Sequence, residues 1–306
     1  MIRLLNLIYI ALTQALFHYC VAIPISAKTN TPFVIDDRMF WLIVLASVLI
    51  AAAGYIINDY FDLNIDSINK PKEVVIDTLI SRRWALFFHM SFSMAGVLIS
   101  FYIGWRFGTM SIAFANMACV LLLWFYSTAF KKKLLSGNTL IAILTAWVIM
   151  VLYVATIDNN SFQLSSIDRS AFQKFTRIAI LYAAFAFIVS VIREVIKDVE
   201  DMEGDAKYGC KTMPIVWGVN VSKVFAAVWI IVLVCSLLIV QLYVLIQFGW
   251  WHSALYCILF IITPLVVILI RLRKAYTSAQ FHLLSSLTKF VMLTGVLSML
   301  FLRYLL

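Results

Sequence analysis

The run FWLIVLASVLIAAAGYIIN, residues 40–58, passes without interruption into DYFDLNID, residues 59–66. The first part has the roughly 20 apolar residues a helix needs to cross a hydrocarbon core of about 30 Å. The second places Asp59, Asp62 and Asp66 at i, i+3, i+7 at the end of that span. With about 100° of rotation per residue, such a trio covers roughly 60° of arc, so its carboxylates share one helix face. A second block, DVEDMEGD at 198–205, repeats the spacing with Asp198, Asp201 and Asp205, each 139 residues after its counterpart (198 − 59, 201 − 62, 205 − 66). Like charges converging at a poorly solvated boundary repel one another, so the arrangement calls for a compensating cation.

The rest of the chain agrees with a membrane setting. It is 64% hydrophobic and 13% charged, with a mean hydropathy of +0.99, too apolar for a soluble domain of this length. Apolar stretches fall at about 4–25, 40–58, 84–103, 109–126, 139–156, 177–192, 223–246, 253–270 and 289–305. The expected fold is all-α: nine transmembrane helices in a bundle around a central cavity, one domain over residues 1–306. Gly104–Gly108 reads as a tight turn between antiparallel helices. The first span reads as a retained helix, because its apolar part exceeds a typical signal-peptide core and no small-x-small exit follows.

Loops 59–83, 127–138, 193–222 and 271–288 are polar and basic. An N-terminus in the cytoplasm puts 17 of the 24 Lys and Arg residues on that side, as positive-inside bias requires. The same topology places both acidic blocks there and leaves only Asp36, Asp37, Asp158 and Asp168 outside. Basic residues scattered over inter-helix loops, giving a net charge of +9, form no nucleic-acid module and suit anionic membrane lipids. The five cysteines occur singly and the four histidines, 18, 89, 252 and 282, are dispersed. Neither thiolate nor histidine metal spacing is present, and packing roles are expected for the histidines.

Oxygen ligands without His or Cys point to magnesium or manganese. Magnesium commonly bridges a few carboxylates to substrate phosphates, so a diphosphate substrate is expected. Lys70, Lys72, Lys131, Lys197 and Lys207 are candidate cations for its remaining charge. A cation transporter is the non-enzyme alternative, disfavoured because the carboxylates sit at one membrane face and not at the midplane.

Asn58-x-x-x-Asp62-x-x-x-Asp66 and Asp201-x-x-x-Asp205 resemble the two aspartate-rich signatures of UbiA-type intramembrane prenyltransferases, and the nine-span layout is similar over nearly the whole chain. Arg193-Glu194 followed by Lys197-Asp198-x-x-Asp201-x-x-Gly204-Asp205 resembles the branch that makes digeranylgeranylglyceryl phosphate, an ether-lipid precursor. The resemblance implies an enzyme that moves a prenyl group from a polyprenyl diphosphate, geranylgeranyl diphosphate being favoured, to a lipophilic acceptor. Geranylgeranylglyceryl phosphate is the favoured acceptor and an aromatic quinone precursor the alternative. It also implies two magnesium ions, one held by Asn58, Asp62 and Asp66 and one by Asp201 and Asp205. Asp59 and Asp198 would be further ligands or orienters of metal-bound water. Tyr126 and Lys131 match a Tyr-Ser-then-Lys segment whose lysine contacts the diphosphate, and Arg193 and Lys197 are the matching basic groups near the second block. Phe61, Trp124, Phe125, Tyr126, Phe185 and Phe187 are candidate chamber-lining aromatics.

Overall fold

A computed structural model describes residues 3–28, 34–69, 71, 74–159 and 169–305. Lys70, Lys72 and Asp168 therefore lie outside the described residues. Among the described residues, nine helices are long and apolar enough to cross a membrane. They are Leu4–Ala27, Asp37–Asn69, Arg82–Phe107, Met110–Thr128, Ser136–Asp158, Arg169–Glu200, Val219–Phe248, Trp251–Lys274 and Ser278–Tyr304.

The helices outrun the apolar stretches that announce them. Apolar sequence marks where the bilayer lies, whereas helical hydrogen bonding continues wherever side chains tolerate it. Asp37–Asn69 thus has 33 residues and carries the whole first acidic block, Arg169–Glu200 runs eight residues beyond the expected end at 192, and the turn at 104–108 shrinks. Helix continues to Phe107, and Gly108, at φ +73°, supplies the left-handed residue that ends it. The largest correction concerns 271–288, expected as a loop. Helix resumes there at Ser278, nucleated by a capping box in which the Thr277 hydroxyl accepts from the Gln280 backbone and the Gln280 side chain accepts from the Thr277 N–H at 3.1 Å. Lys289 is then inside a spanning helix, as Lys223 is in Val219–Phe248.

The chain forms two compact units. One comprises Met1–Lys131 and Ala146–Ala183. Within it Gln14, fully buried, donates to Ser47 Oγ at 3.0 Å and to the Val148 carbonyl at 3.1 Å. Asn116 donates to Ser100 Oγ at 2.9 Å and accepts from Trp147 Nε1 at 3.1 Å. Such polar bridges matter between membrane helices, where lipid tails compete with apolar contacts on equal terms. Gly96 lets its helix approach Asp37–Asn69 closely, since a Cβ there would stand 2.7 Å from Ile50 Cγ1.

The other unit comprises Lys132–Thr145 and Ala184–Leu305. Its core joins Val189, Ile192 and Ile196 to Ile230, Leu265, Ile268, Phe281 and Leu284. Phe185, one of the candidate lining aromatics, packs against this core and over Gly295, whose absent Cβ would lie 2.3 Å from the Phe185 ring. Packing, expected for the histidines, is seen for three of the four: His18 stacks on Phe40 with 4.2 Å between centroids, His89 Nδ1 is 3.0 Å from the Ala53 carbonyl, and His252 stacks on Trp251, whereas His282 Nδ1 lies 2.8 Å from Glu200 Oε1.

Candidate functional site

The first acidic block rides on unbroken helix. Asp62 is 3% exposed. Its Oδ2 accepts from Asn58 Nδ2 at 2.7 Å and from the ammonium of Lys131. One turn apart, Asn58 and Asp62 point along the same face as the i, i+4 spacing demands. Asn58 Oδ1 is left buried with no hydrogen-bond partner, an acceptor oxygen beside a carboxylate and available to a cation. Asp59 turns to the helix edge and pairs with Arg3 at 3.3 Å, while the Arg3 guanidinium lies 5.4 Å from the centre of the Tyr55 ring.

Lys131 lies in the connection after the Met110–Thr128 helix. Burial pulls its pKa down, but the charges of Asp62, Tyr126 and Asp66 more than offset this, and the net direction is upward from the ordinary lysine value. The ammonium is held charged. Tyr126 and Asp66 thus belong to the same electrostatic neighbourhood. Phe61 meets Trp124 edge-on at 5.8 Å, and Trp124 lies 5.5 Å from the His89 ring. Phe125 is 51% exposed.

The second block straddles a helix end. Helix stops at Glu200, Asp201 adopts φ −93°, ψ 5°, and a short helix, Met202–Lys207, follows. The turn remains helix-like in its hydrogen bonds: Asp201 N donates to the Lys197 carbonyl at 2.9 Å and Asp205 N to the Asp201 carbonyl at 3.2 Å. Asp198, Asp201 and Asp205 therefore keep helical succession despite the break. Asp205 is buried, and its carbonyl accepts from Cys210 N at 3.0 Å through a turn made possible by Gly209 at φ +69°.

Asp198 Oδ2 accepts from Asn138 Nδ2 at 2.8 Å. Arg193 forms a 2.6 Å ion pair with its neighbour Glu194, and its Nε is buried without a partner. Lys197 adds positive charge beside Asp198. Lys207 pairs with Glu203 at 3.3 Å on an exposed surface. Asn138, Glu200, Ser278 and His282 were not among the expected site residues. His282 Nδ1 lies 2.8 Å from Glu200 Oε1, and Ser278 Oγ donates to the Glu200 carbonyl at 3.0 Å.

Neither Asp trio gathers into a ready-made carboxylate cage. Among the described residues no three His, Cys, Asp or Glu side chains group closely enough to hold a metal by themselves. In the first block the negative charge is met by Lys131. The donor set still fits magnesium, a hard cation that takes one or two carboxylates and completes its octahedron with water and phosphate oxygens. Asn58 Oδ1 and the Asp62 and Asp66 carboxylates are the oxygens that could hold it in the first block; Asp198, Asp201 and Asp205 are those in the second.

A helical integral membrane protein with two matched acidic blocks, one backed by a half-buried lysine, defines a class that handles charged groups at a membrane boundary. Residues 15–295 match the UbiA prenyltransferase family, and the chain belongs to it. It is 33% identical over 214 residues to a digeranylgeranylglyceryl phosphate synthase of Methanothermobacter thermautotrophicus, an alignment covering 69% of this chain and 68% of that one. A solved structure described as giving insight into digeranylgeranylglyceryl phosphate synthase in membranes superposes with a TM-score of 0.59 at 25% identity, covering 97% of this chain and 95% of its own. A UbiA homolog from Archaeoglobus fulgidus bound to DMAPP and Mg2+ shares the fold, with a TM-score of 0.54 and 14% identity over 98% of each chain.

Proposed function

We propose that this protein transfers a prenyl group, with magnesium, from a polyprenyl diphosphate to a lipophilic acceptor, geranylgeranyl diphosphate and geranylgeranylglyceryl phosphate being the favoured pair. The observation that carries this reading is the 33% identity to a digeranylgeranylglyceryl phosphate synthase in a chain whose oxygen-only acidic blocks suit magnesium and diphosphate. One domain over residues 1–306 carries the activity. Its N-terminus and both acidic blocks face the cytoplasm, supported by the bias of basic residues toward that side.

In the reaction the allylic C–O bond breaks, its electron pair leaves with the diphosphate, and a hydroxyl oxygen of the acceptor attacks the allylic carbon and releases its proton. Bound magnesium supplies positive charge for the leaving group. Asn58, Asp62 and Asp66 hold one ion, and Asp201 and Asp205 hold a second. Asp59 and Asp198 would serve as further ligands or as orienters of metal-bound water. Lys131, charged and already beside the first block, stabilises the same developing negative charge. Tyr126 beside the first block, and Arg193 and Lys197 beside the second, are the further groups proposed for diphosphate, and apolar helix surfaces keep water from the carbocation. Lys132 and Lys133 stand next in sequence to Lys131 and suit an acceptor that bears its own phosphate.

Purified protein in nanodiscs, incubated with magnesium, geranylgeranyl diphosphate and a panel of acceptors, tests the proposal by mass spectrometry. The digeranylgeranyl ether of glyceryl phosphate is the expected product. Prenylation of an aromatic acid in its place would move the assignment to quinone precursors. Diphosphate release with no prenylated product would overturn transfer altogether.

A further inference from the structure

The second acidic block is gripped through Glu200, a residue that belongs to neither signature. Glu200 is the last residue of the Arg169–Glu200 helix and immediately precedes Asp201. Two side chains from another helix take hold of it: Ser278 Oγ donates to its backbone carbonyl at 3.0 Å, and His282 Nδ1 lies 2.8 Å from its carboxylate. Ser278 and His282 are one turn apart, so they share a helix face and reach the same residue together. The Glu200 side chain is 5% exposed and that of His282 is 66% exposed.

The grip rests on a stiff support. Gln280 Oε1 accepts from the backbone N–H of Tyr276 at 2.7 Å and of Thr277 at 3.1 Å, and the Thr277 hydroxyl accepts from Gln280 N. These bonds fix the first turn of the Ser278–Leu297 helix, the turn that presents Ser278 and His282. Phe281, between them in sequence, is 2% exposed in the same core as Val195, Ile196 and Val199. The anchor is thus packed against the helix whose end it holds.

We propose that Ser278 and His282 are positioning residues for the second metal site: by holding both the carbonyl and the carboxylate of Glu200, they fix the backbone turn at Asp201 and so the direction of the Asp198, Asp201 and Asp205 carboxylates. Asp201 sits where regular helix stops, at φ −93°, ψ 5°, and leads directly into the short Met202–Lys207 helix that carries Asp205. Without the grip, the turn would relax and the carboxylates would meet a cation less often in a shared geometry. Outer partners of this kind typically change metal affinity by about 10- to 100-fold. This inference rests on the proposed binding of magnesium by the second block.

The test is manganese binding by the full-length protein in nanodiscs with geranyl diphosphate, read by electron paramagnetic resonance, with thermal unfolding measured in parallel. Ser278→Ala with His282→Phe is expected to raise the manganese half-saturation about tenfold or more, and His282→Gln, which keeps a donor, to recover a large part of it. Half-saturation equal to wild type in the double variant overturns the proposal. So does a His282→Gln protein that behaves like His282→Phe, since packing alone would then explain the effect. Should the double variant unfold early, the two single His282 substitutions decide, because that side chain is mostly exposed. Asp201→Ala runs alongside: manganese binding identical to wild type in that variant overturns the metal role of the block itself, and the grip with it.

Discussion

The two acidic blocks share one spacing and differ in how their charge is met. In the first, continuous helix places Asn58 and Asp62 side by side, and the Lys131 ammonium stands directly against Asp62. In the second, helix stops in the middle of the block, Asp198 is met by the neutral amide of Asn138, and the turn is held through Glu200. Identical carboxylate spacing thus supports two electrostatic designs. The first block meets Asp62 with a cation in direct contact and depends on it; in the second, Asp198 takes a neutral donor with Lys197 close by, and the turn of the block depends on backbone geometry.

The comparison breaks first if one block proves dispensable. Asp62→Ala and Asp201→Ala should each lower prenyl transfer by about 10²- to 10³-fold, the range for losing one preorganised charge-stabilising group, while the protein still inserts and folds. Turnover above one tenth of wild type in both variants would sink the assignment of two metal sites. Asp36→Ala is the matched control at the opposite end of the same helix. Asp36 Oδ1 accepts from Met39 N at 2.7 Å, so its loss should cost about 1 kcal/mol of stability as a missing N-cap with turnover near wild type.

Metal removal tests both blocks at once. EDTA should eliminate transfer and added magnesium restore it, whereas a zinc-selective chelator should leave it intact, because the donors are oxygens. Transfer that persists in metal-free protein would contradict the leaving-group chemistry proposed for either block.

Much of this was legible in the sequence because it depends on local periodicity. Hydropathy located all nine spans, and the i, i+3, i+7 pattern located both blocks. Helix ends were harder: residues 59–69 and 193–200 are polar, so a hydropathy scan stops before the helix does. The start of the last helix did have a signal, Thr277-x-x-Gln280, a capping box in a stretch whose Ser, His and Lys content suggested loop. Asn138, Glu200, Ser278 and His282 had none, because their meaning depends on partners 60 to 82 residues away. Lys131 was singled out for the diphosphate, yet its contact with Asp62 arises only when residues 69 positions apart are folded together.

Lys131→Gln sharpens the comparison at the first block. Asp62 is almost wholly buried and the Lys131 side chain is 26% exposed, so removing the charge leaves a buried carboxylate without its cation while water still reaches one partner. The expected loss in metal-free protein is about 2 kcal/mol, below the 3 to 5 kcal/mol of a fully buried pair. Magnesium with geranylgeranyl diphosphate should recover part of it, as a second cation reaches the same carboxylate. A Lys131→Gln protein as stable as wild type without metal would show that the first block does not depend on its built-in charge.

Asn138→Ala is the counterpart in the second block and the smallest effect. It removes a neutral donor from Asp198, and a single hydrogen bond to a partly accessible carboxylate contributes about 1 kcal/mol net. Thermal unfolding of metal-free protein should therefore fall by roughly half as much as in Lys131→Gln. The response to magnesium and diphosphate then distinguishes the two roles open to Asp198. A direct ligand would exchange the lost amide for a cation, and the deficit would close; an orienter of metal-bound water would still lack its donor, and the deficit would persist. A metal-free loss larger than that of Lys131→Gln would reverse the comparison, because the neutral contact would then support its block more strongly than the ion pair supports the other.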